Sequence, residues 1–172
     1  MILDTAARRL RDQGLDGLNI KGVAEDAGIS HATLIHHFGS SAEMRDALAE
    51  KMTADLINDL IKALQAQAPT EQLVENVFAA ISEGGHAKLI AWRVSEGRLD
   101  SDPLGQAKTL FERLLSHTEG KLASDIGERR RLIYLITTAA LGAGLAGGVV
   151  QTMFGMSEEE VSGFPAWLSG RL

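Results

Sequence analysis

Cysteine is absent from this sequence of 172 residues, prolines number only three, and aromatic residues make up 5%. Without cysteine the chain can form neither a disulfide framework nor a thiolate metal site. Few prolines and no clear alternating β-branched runs predict a chain dominated by helices, so the expected fold class is all-α. The first four residues lack the basic and apolar regions of a signal peptide, and we therefore expect a cytoplasmic protein.

Positive charge is also scarce, because 17 Lys and Arg face 23 Asp and Glu, a formal net charge of −6. Nonspecific affinity for nucleic acid comes from basic side chains that neutralise phosphates. Any contact with nucleic acid must therefore be local. Paired carboxylates, a nucleophile elbow and a phosphate-binding loop are not recognisable either, so we expect no catalytic residues, no cofactor and no enzymatic activity.

One long stretch does lack charge altogether. Residues 132–157 form a run of 26 uncharged residues that follows Arg129-Arg130-Arg131, which is long enough to cross a bilayer and has a positive flank. Threonines, a glutamine and five glycines lower its apolarity, however. We expect a buried or interface helix here, and no membrane partner.

Helical periodicity and capping residues divide the chain into short and long helices. Asn19 and Ser30 are suitable N-caps for two short helices, and Ser40 with Glu43 forms a capping-box pattern before a long one. Pro69 and the pair Gly84-Gly85 interrupt the pattern further on. The predicted helices cover residues 3–13, 20–27, 31–38, 41–67, 70–81, 87–96, 104–118, 125–153 and 165–170.

Three of the five histidines fall within "HATLIHHF", residues 31–38. On a helix, His31, His36 and His37 lie roughly 100° to 140° from one another, so no two share a face. A helical metal pair needs spacings of three or four, and no carboxylate lies nearby. We therefore expect no metal site.

The same segment has a buried side and an outward side. Leu34 and Phe38 are placed to anchor it in a core, while Ala32, Thr33 and His36 face away. The segment follows a tight Gly-Ile-Ser turn that joins it to the preceding short helix. This arrangement is typical of a helix-turn-helix, whose second helix enters the major groove of DNA.

The stretch "NIKGVAEDAGISHATLIHHFGSSAEMRDAL", residues 19–48, resembles the DNA-binding module of the tetracycline repressor (TetR) family of transcriptional regulators. Its most specific parts are "VAEDAGIS", Thr33-Leu34 and His37-Phe38. The resemblance implies a helix-turn-helix DNA-binding domain over residues 1–48 and a larger helical domain for ligand binding and dimerisation over residues 49–172. It also implies a homodimer that reads a pseudo-palindromic operator of double-stranded DNA.

Carried over to this sequence, the resemblance implies DNA contacts by seven residues, with Lys21 and His37 at phosphates. They are Lys21, Ser30, His31, Ala32, Thr33, His36 and His37. Two positions depart from the family pattern. A tyrosine is usual where Ile35 stands and a lysine where Ser41 stands, and both usual residues contact the DNA backbone.

Large apolar side chains after residue 50 could be ordinary core residues, and only the resemblance makes some of them the wall of an effector pocket. With no cluster of charges available, the expected effector is a small, largely apolar molecule. The candidate pocket residues are Met52, Leu56, Phe78, Trp92, Phe111 and Tyr134.

Four glycines stand between residues 142 and 148 of a predicted helix, where each costs about 1 kcal/mol relative to alanine. Ala140, Gly144 and Gly148, spaced by four, form a smooth stripe that lets another helix approach closely. The partner is either another helix of the same domain or the same helix of a second subunit. We favour a dimer interface, completed by Trp167.

These features predict a ligand-responsive, homodimeric transcriptional regulator that acts as a repressor. The alternative is a helical adaptor or ligand-binding regulator of the same fold with weak or no DNA binding.

Overall fold

The computed structural model describes residues 1–98 and 103–172. For residues 103–107 it describes the backbone but not the side chains. The described residues form ten α-helices and no β-strand, which confirms the predicted all-α fold. The helices are α1 (Ile2–Gln13), α2 (Ile20–Asp26), α3 (His31–Phe38), α4 (Ser41–Gln65), α5 (Thr70–Phe78), α6 (His86–Ser95), α7 (Pro103–His117), α8 (Ile126–Phe154), α9 (Glu158–Ser162) and α10 (Phe164–Ser169).

Side-chain caps define the starts of the short helices, as predicted. The Asn19 side chain accepts a hydrogen bond from the Gly22 amide at 2.8 Å, and Ser30 Oγ accepts one from the Thr33 amide at 3.0 Å. At α4, Ser40 Oγ accepts a bond from the Glu43 amide at 3.2 Å. The Glu43 side chain lies over Gly39 and not at the Ser40 amide, so only one half of the predicted capping box is formed.

The sequence pattern did not predict three details of the helix boundaries. The predicted helix over residues 70–81 is α-helical only to Phe78 and continues as a π-helical turn, Ala79–Glu83, before Gly84. A 3-10 turn, Leu15–Gly17, joins α1 to α2. Helix α9 begins with a complete capping box in which Ser157 and Glu160 satisfy each other's backbone amides.

The first apolar core joins α1, α2, α3 and the beginning of α4. Its fully buried side chains include Leu10, Val23, Leu34, Met44 and Leu48. Leu89 of α6 is buried in the same cluster, so the N-terminal helices rest directly on α6.

Two further cores lie in the C-terminal part of the chain. One joins α5, α8 and α10 through Phe78, Ile136, Ala140 and Leu168. The other joins α4, α5 and α7, and its members include Ile57, Leu64, Leu73 and Leu114. Helix α4 contributes to the N-terminal core and to this last one, so the proposed domain boundary at residue 48 falls inside one continuous helix.

Candidate DNA-binding surface and effector cavity

The candidate recognition helix α3 is held by its buried side. Gly28, at φ +67°, makes the turn after α2, and Ser30 caps α3. Leu34 is fully buried and Phe38 is partly buried against the N-terminal core. Gly39, at φ +83°, ends the helix in a conformation that favours glycine. The position of α3 is therefore fixed by two side chains and two glycine turns.

The structure brings all seven predicted DNA-contact residues to the surface. Ser30 and Thr33 are hydrogen bonded to each other, with their hydroxyl oxygens 2.8 Å apart, at the beginning of α3. Contact with DNA remains a prediction for the whole set. The exposed side chains are Lys21, Ser30, His31, Ala32, Thr33, His36 and His37.

Two basic residues of the N-terminal helices are committed to internal bonds. Arg9 donates to Gly17 O at 2.8 Å and pairs with Asp26 at 2.7 Å. Arg45 donates to the carbonyls of Leu15 and Leu18 at 3.0 and 3.1 Å. The remaining basic residues among the first 50 are Arg8, Arg11 and Lys21, and all three are exposed.

The two departures from the family pattern have different surroundings. Ile35 is 38% exposed on α3, where a larger side chain has room to extend. Ser41 Oγ accepts a bond from the Ile20 amide at 3.4 Å and so links α4 to α2. Ser41 therefore has a structural role that a lysine could not fill in the same way.

A cavity of about 290 Å³ lies among α4, α5, α6, α7 and α8. Most of its described lining is aliphatic, for example Ile57, Val77, Ile90, Leu110 and Ile133. The polar lining residues are Glu50, Thr53, Thr70, His86, Arg93, Thr118 and Thr137. Its volume is just below the range of about 300–1,000 Å³ for small-molecule sites.

The structure places two of the six predicted pocket residues, Leu56 and Phe111, in the lining of this cavity. Met52 and Trp92 instead pack against the N-terminal core. Phe78 is buried at the other side of α5, with its ring 5.8 Å from that of Phe164. Tyr134 is largely exposed and borders a smaller hollow of about 200 Å³. The prediction that these four residues line the cavity is therefore wrong. Apolar character alone does not reveal the direction in which a helical side chain points.

His86 is one of the polar cavity residues that the sequence pattern missed. Its ring is 2% exposed, and Nε2 lies 3.1 Å from Thr53 Oγ1. Burial lowers the pKa of His86 to about 4, and the positive charge of Arg93 adds to the effect. The imidazole is therefore neutral at pH 7. In the sequence, a histidine at the start of a helix cannot be distinguished from an ordinary surface residue.

Helix α6 connects the cavity to the N-terminal helices. Arg93, which lines the cavity, lies with Nε 3.1 Å from Asp46 Oδ1 on α4, and Arg98 Nη2 lies 2.6 Å from Oδ2 of the same carboxylate. The Trp92 ring lies beneath the guanidinium groups of Arg45, at 5.1 Å, and Arg98, at 5.8 Å. A shift of α6 would therefore change contacts on both sides.

The predicted small-residue stripe of α8 is packed against other helices at one end and open at the other. Ala140 is fully buried within the chain, and a Cβ built on Gly144 would lie 2.7 Å from Ala87 Cβ and 2.9 Å from Ser82 Cα. Ala140 and Gly144 therefore pack against the same protomer, which corrects their assignment to a dimer interface. Gly148 has no neighbour within 4 Å of such a Cβ, and Trp167 is half exposed.

Beyond Gly144, one side of α8 is apolar and exposed. Leu145, Val149 and Met153, spaced by four, are 52%, 64% and 74% exposed. Among the described helices, α8 is the one long and apolar enough, by length and composition, to cross a membrane. Within residues 1–98 and 103–172, no three side chains of His, Asp or Glu come together as a possible metal site.

Comparison with known proteins matches residues 2–48 to the family model of bacterial regulatory proteins, tetR family. The HTH-type transcriptional regulatory protein RaaS of Mycobacterium tuberculosis is 28% identical over 122 residues, which cover 67% of this chain and 54% of that protein. The HTH-type transcriptional repressor KstR2 of Rhodococcus jostii is 30% identical over 93 residues, 52% of this chain and 46% of that protein. The chain thus matches about half the length of these curated relatives.

Solved structures share the fold over almost the whole chain. A candidate transcriptional regulator from Saccharomonospora viridis, in complex with choline, matches with a TM-score of 0.61 and 17% identity, covering 98% of this chain and 92% of that one. The superantigen PfiT matches with a TM-score of 0.55 and 17% identity, covering 99% and 93%. At this identity the likeness concerns the fold alone.

Proposed function

We propose that this protein is a ligand-responsive, DNA-binding transcriptional repressor in the cytoplasm, because residues 2–48 match the family model of bacterial regulatory proteins, tetR family. The observation that carries the proposal is α3 itself. It follows the glycine turn at residue 28 and is anchored by the buried Leu34. Apart from Ile35, its exposed side chains are small, hydroxyl or imidazole groups. A helix of this kind fits the major groove.

The exposed residues take different roles on DNA. Thr33 and His36 lie on the outward side of α3, where side chains reach base edges. Lys21, at the beginning of α2, and His37, at the end of α3, contact phosphates. The base contacts provide sequence discrimination, whereas the phosphate contacts provide affinity for any sequence.

The protein acts as a homodimer, formed through the exposed apolar side of α8 at Leu145, Gly148, Val149 and Met153, together with Trp167. Two-fold interfaces are self-complementary, and a smooth apolar helix surface satisfies that condition. A second copy, and not a membrane, covers this surface, because the opposite side of α8 packs into the protomer core at Ala140. The dimer presents two α3 helices to a pseudo-palindromic operator.

The cavity binds the effector and α6 transmits its presence. His86, Ile90 and Arg93 of α6 line the cavity, while Leu89 and Trp92 of the same helix pack against the N-terminal core. An effector that prefers one position of α6 changes the separation of the two α3 helices and lowers operator affinity. The control is allosteric because the ligand and the DNA favour different arrangements.

Choline, found in the neighbour from Saccharomonospora viridis, is a poor match for this cavity. Quaternary ammonium groups are typically bound by a cage of aromatic rings. Phe111 is the one phenyl or indole ring among the described lining residues, so they do not form such a cage. A small, largely apolar effector agrees better with the aliphatic walls.

One observation favours the second candidate, a helical adaptor with weak DNA affinity. Arg9 and Arg45 are bonded internally, and Ile35 and Ser41 replace two residues that contact the DNA backbone in the family. Selection of genomic fragments by the purified protein, followed by footprinting, separates the two. A protected palindromic site supports the repressor, whereas no enrichment of any site at low salt supports the adaptor.

A further inference from the structure

The smaller hollow of about 200 Å³ between α7 and α8, which we call the outer hollow, adjoins the cavity. Phe111, Ile133 and Thr137 line both spaces, so these side chains stand at their junction. The outer hollow is also bordered by Tyr134, which is 72% exposed, and therefore reaches the protein surface. A molecule that fills the cavity can extend past the junction toward solvent.

A cation without a partner lies at the outer hollow. Arg130 lines it and is exposed, and among the described residues it forms no ion pair or hydrogen bond. Its neighbour Arg131, in contrast, pairs with Glu128 at 3.0 Å. The described lining contains no carboxylate; besides Arg130 it consists of Phe111, Leu115, Ile133, Tyr134 and Thr137. Arg130 and Tyr134, four residues apart, lie on the same side of α8, and both side chains are hydrogen-bond donors.

The interior of the cavity offers an anion no comparable site. Arg93 is the one cationic side chain in its described lining, and Asp46 already compensates it, with Oδ1 3.1 Å from Arg93 Nε. Glu50 lines the cavity too and forms no ion pair among the described residues. A carboxylate inside would therefore lose its hydration without meeting a free cation. A hydrocarbon chain, in contrast, fits the aliphatic walls.

We propose that the effector is an amphiphilic carboxylate whose hydrocarbon chain fills the cavity and whose carboxylate lies in the outer hollow, paired with Arg130. The inference rests on the proposed function in one respect, the use of this cavity as the effector site. At about 30 Å³ for each water-sized group, the 290 Å³ cavity holds on the order of ten non-hydrogen atoms and the 200 Å³ outer hollow about six more. The proposed dimer interface begins at Leu145, about 16 Å along α8 from Tyr134, and so does not include the outer hollow.

The test compares three ten-carbon probes that differ in the charge of their polar group: decanoate, 1-decanol and decyltrimethylammonium. Calorimetric titration of the DNA-free protein measures each affinity. We expect decanoate to bind about three- to fivefold more tightly than 1-decanol, because an ion pair at an exposed position is worth about that much. The cationic probe should bind most weakly. Added salt should reduce the preference for decanoate, since it screens an exposed pair.

Variants of two adjacent arginines then assign the preference to the outer hollow. Arg130→Gln should remove the advantage of decanoate over 1-decanol. Arg131→Gln, a matched change of an exposed arginine outside the described lining, should retain it. Both side chains are exposed, so neither change disturbs a core. Undetectable binding of decanoate, equal or tighter binding of 1-decanol, or an equal preference in the two variants would overturn the proposal.

A third variant tests the path between the two spaces. Thr137→Leu enlarges a side chain at the junction, so it should weaken the binding of decanoate and 1-decanol but not that of 1-hexanol, which fits within the cavity. Unchanged binding of decanoate by this variant would contradict the proposed path. Because no DNA is present, the result is separate from the proposed function: tight, Arg130-dependent binding of decanoate by a protein that protects no operator would retain the ligand site and reject the repressor.

Discussion

Gly144 of α8 and Ala87 of α6 approach so closely that a Cβ on Gly144 would lie 2.7 Å from the Ala87 Cβ. The backbone of the π-helical turn is equally close, because Ser82 Cα would lie 2.9 Å away. Neither neighbour is the end of a flexible side chain, so the contact can be relieved only by a backbone shift. The absence of a side chain at Gly144 therefore allows α6 and α8 of one protomer to pack closely.

Substitution of alanine for the glycines of α8 should therefore have opposite effects at two positions. Gly142→Ala should raise the free energy of unfolding by up to about 1 kcal/mol, because nothing lies within 4 Å of the new methyl group. Gly144→Ala should lower it by about 1–3 kcal/mol through overpacking. Urea unfolding of the two variants measures both changes. Equal stabilisation by both would mean that α6 and α8 are not packed as described.

A charge on the exposed side of α8 should separate the dimer. Val149→Glu places a carboxylate at the centre of the proposed interface, where its desolvation opposes association. Sedimentation velocity at micromolar concentration should show a dimer for the wild type and a monomer for this variant. Val94→Glu, at a 56% exposed valine of α6, is the matched control and should remain dimeric. A dimeric Val149→Glu protein would place the interface elsewhere.

Mutations on the proposed DNA-binding surface should fall into two groups. Thr33→Ala and His36→Ala should reduce discrimination among operator variants, by about 1–3 kcal/mol for each lost base contact. Lys21→Ala should weaken binding to all sequences and make the salt dependence shallower by about one unit per half-site. Fluorescence anisotropy across a salt series, on operator and scrambled duplexes, distinguishes these effects.

Restoring the larger side chain at residue 35 is the complementary test. Ile35→Tyr should tighten binding to operator and scrambled duplexes alike, because it adds a backbone contact without a base contact. Ser41→Lys adds a charge but removes the acceptor for the Ile20 amide, at a cost of about 1 kcal/mol in stability. If the wild type binds neither duplex at low salt and Ile35→Tyr is no better, the adaptor function is supported.

Acidification should destabilise the protein through His86. The pKa of His86 is about 4 in the folded chain against 6.5 for an ordinary histidine, so between these values the unfolded chain binds a proton that the folded chain does not. The free energy of unfolding should therefore fall by on the order of 3 kcal/mol as the pH is lowered from 6.5 to 4. Urea unfolding across this range should show a smaller decrease for His86→Leu than for the wild type. Parallel pH profiles would show that burial does not control this ring.

The local features of the fold were predictable from short stretches of sequence. Asn19, Ser30 and Ser40 cap the helices they precede, and Leu34 anchors α3, as their spacing indicated. Each of these features depends on a hydrogen bond or a helical period within a few residues. The sequence by itself therefore determined the helix-turn-helix and the exposed residues on its surface.

Tertiary structure decided which side chains face the cavity and which helix packs against the small residues of α8. Trp92 points to the N-terminal core and not to the cavity, while His86 lies in the cavity wall and is bonded to Thr53, 33 positions earlier. Gly144 meets α6 of its own protomer, although Gly148, one turn later, is open. These outcomes depend on the rotation and separation of helices that are distant in sequence. Helical periodicity shows that a residue lies on an apolar face, but only the packing of the whole chain determines what that face touches.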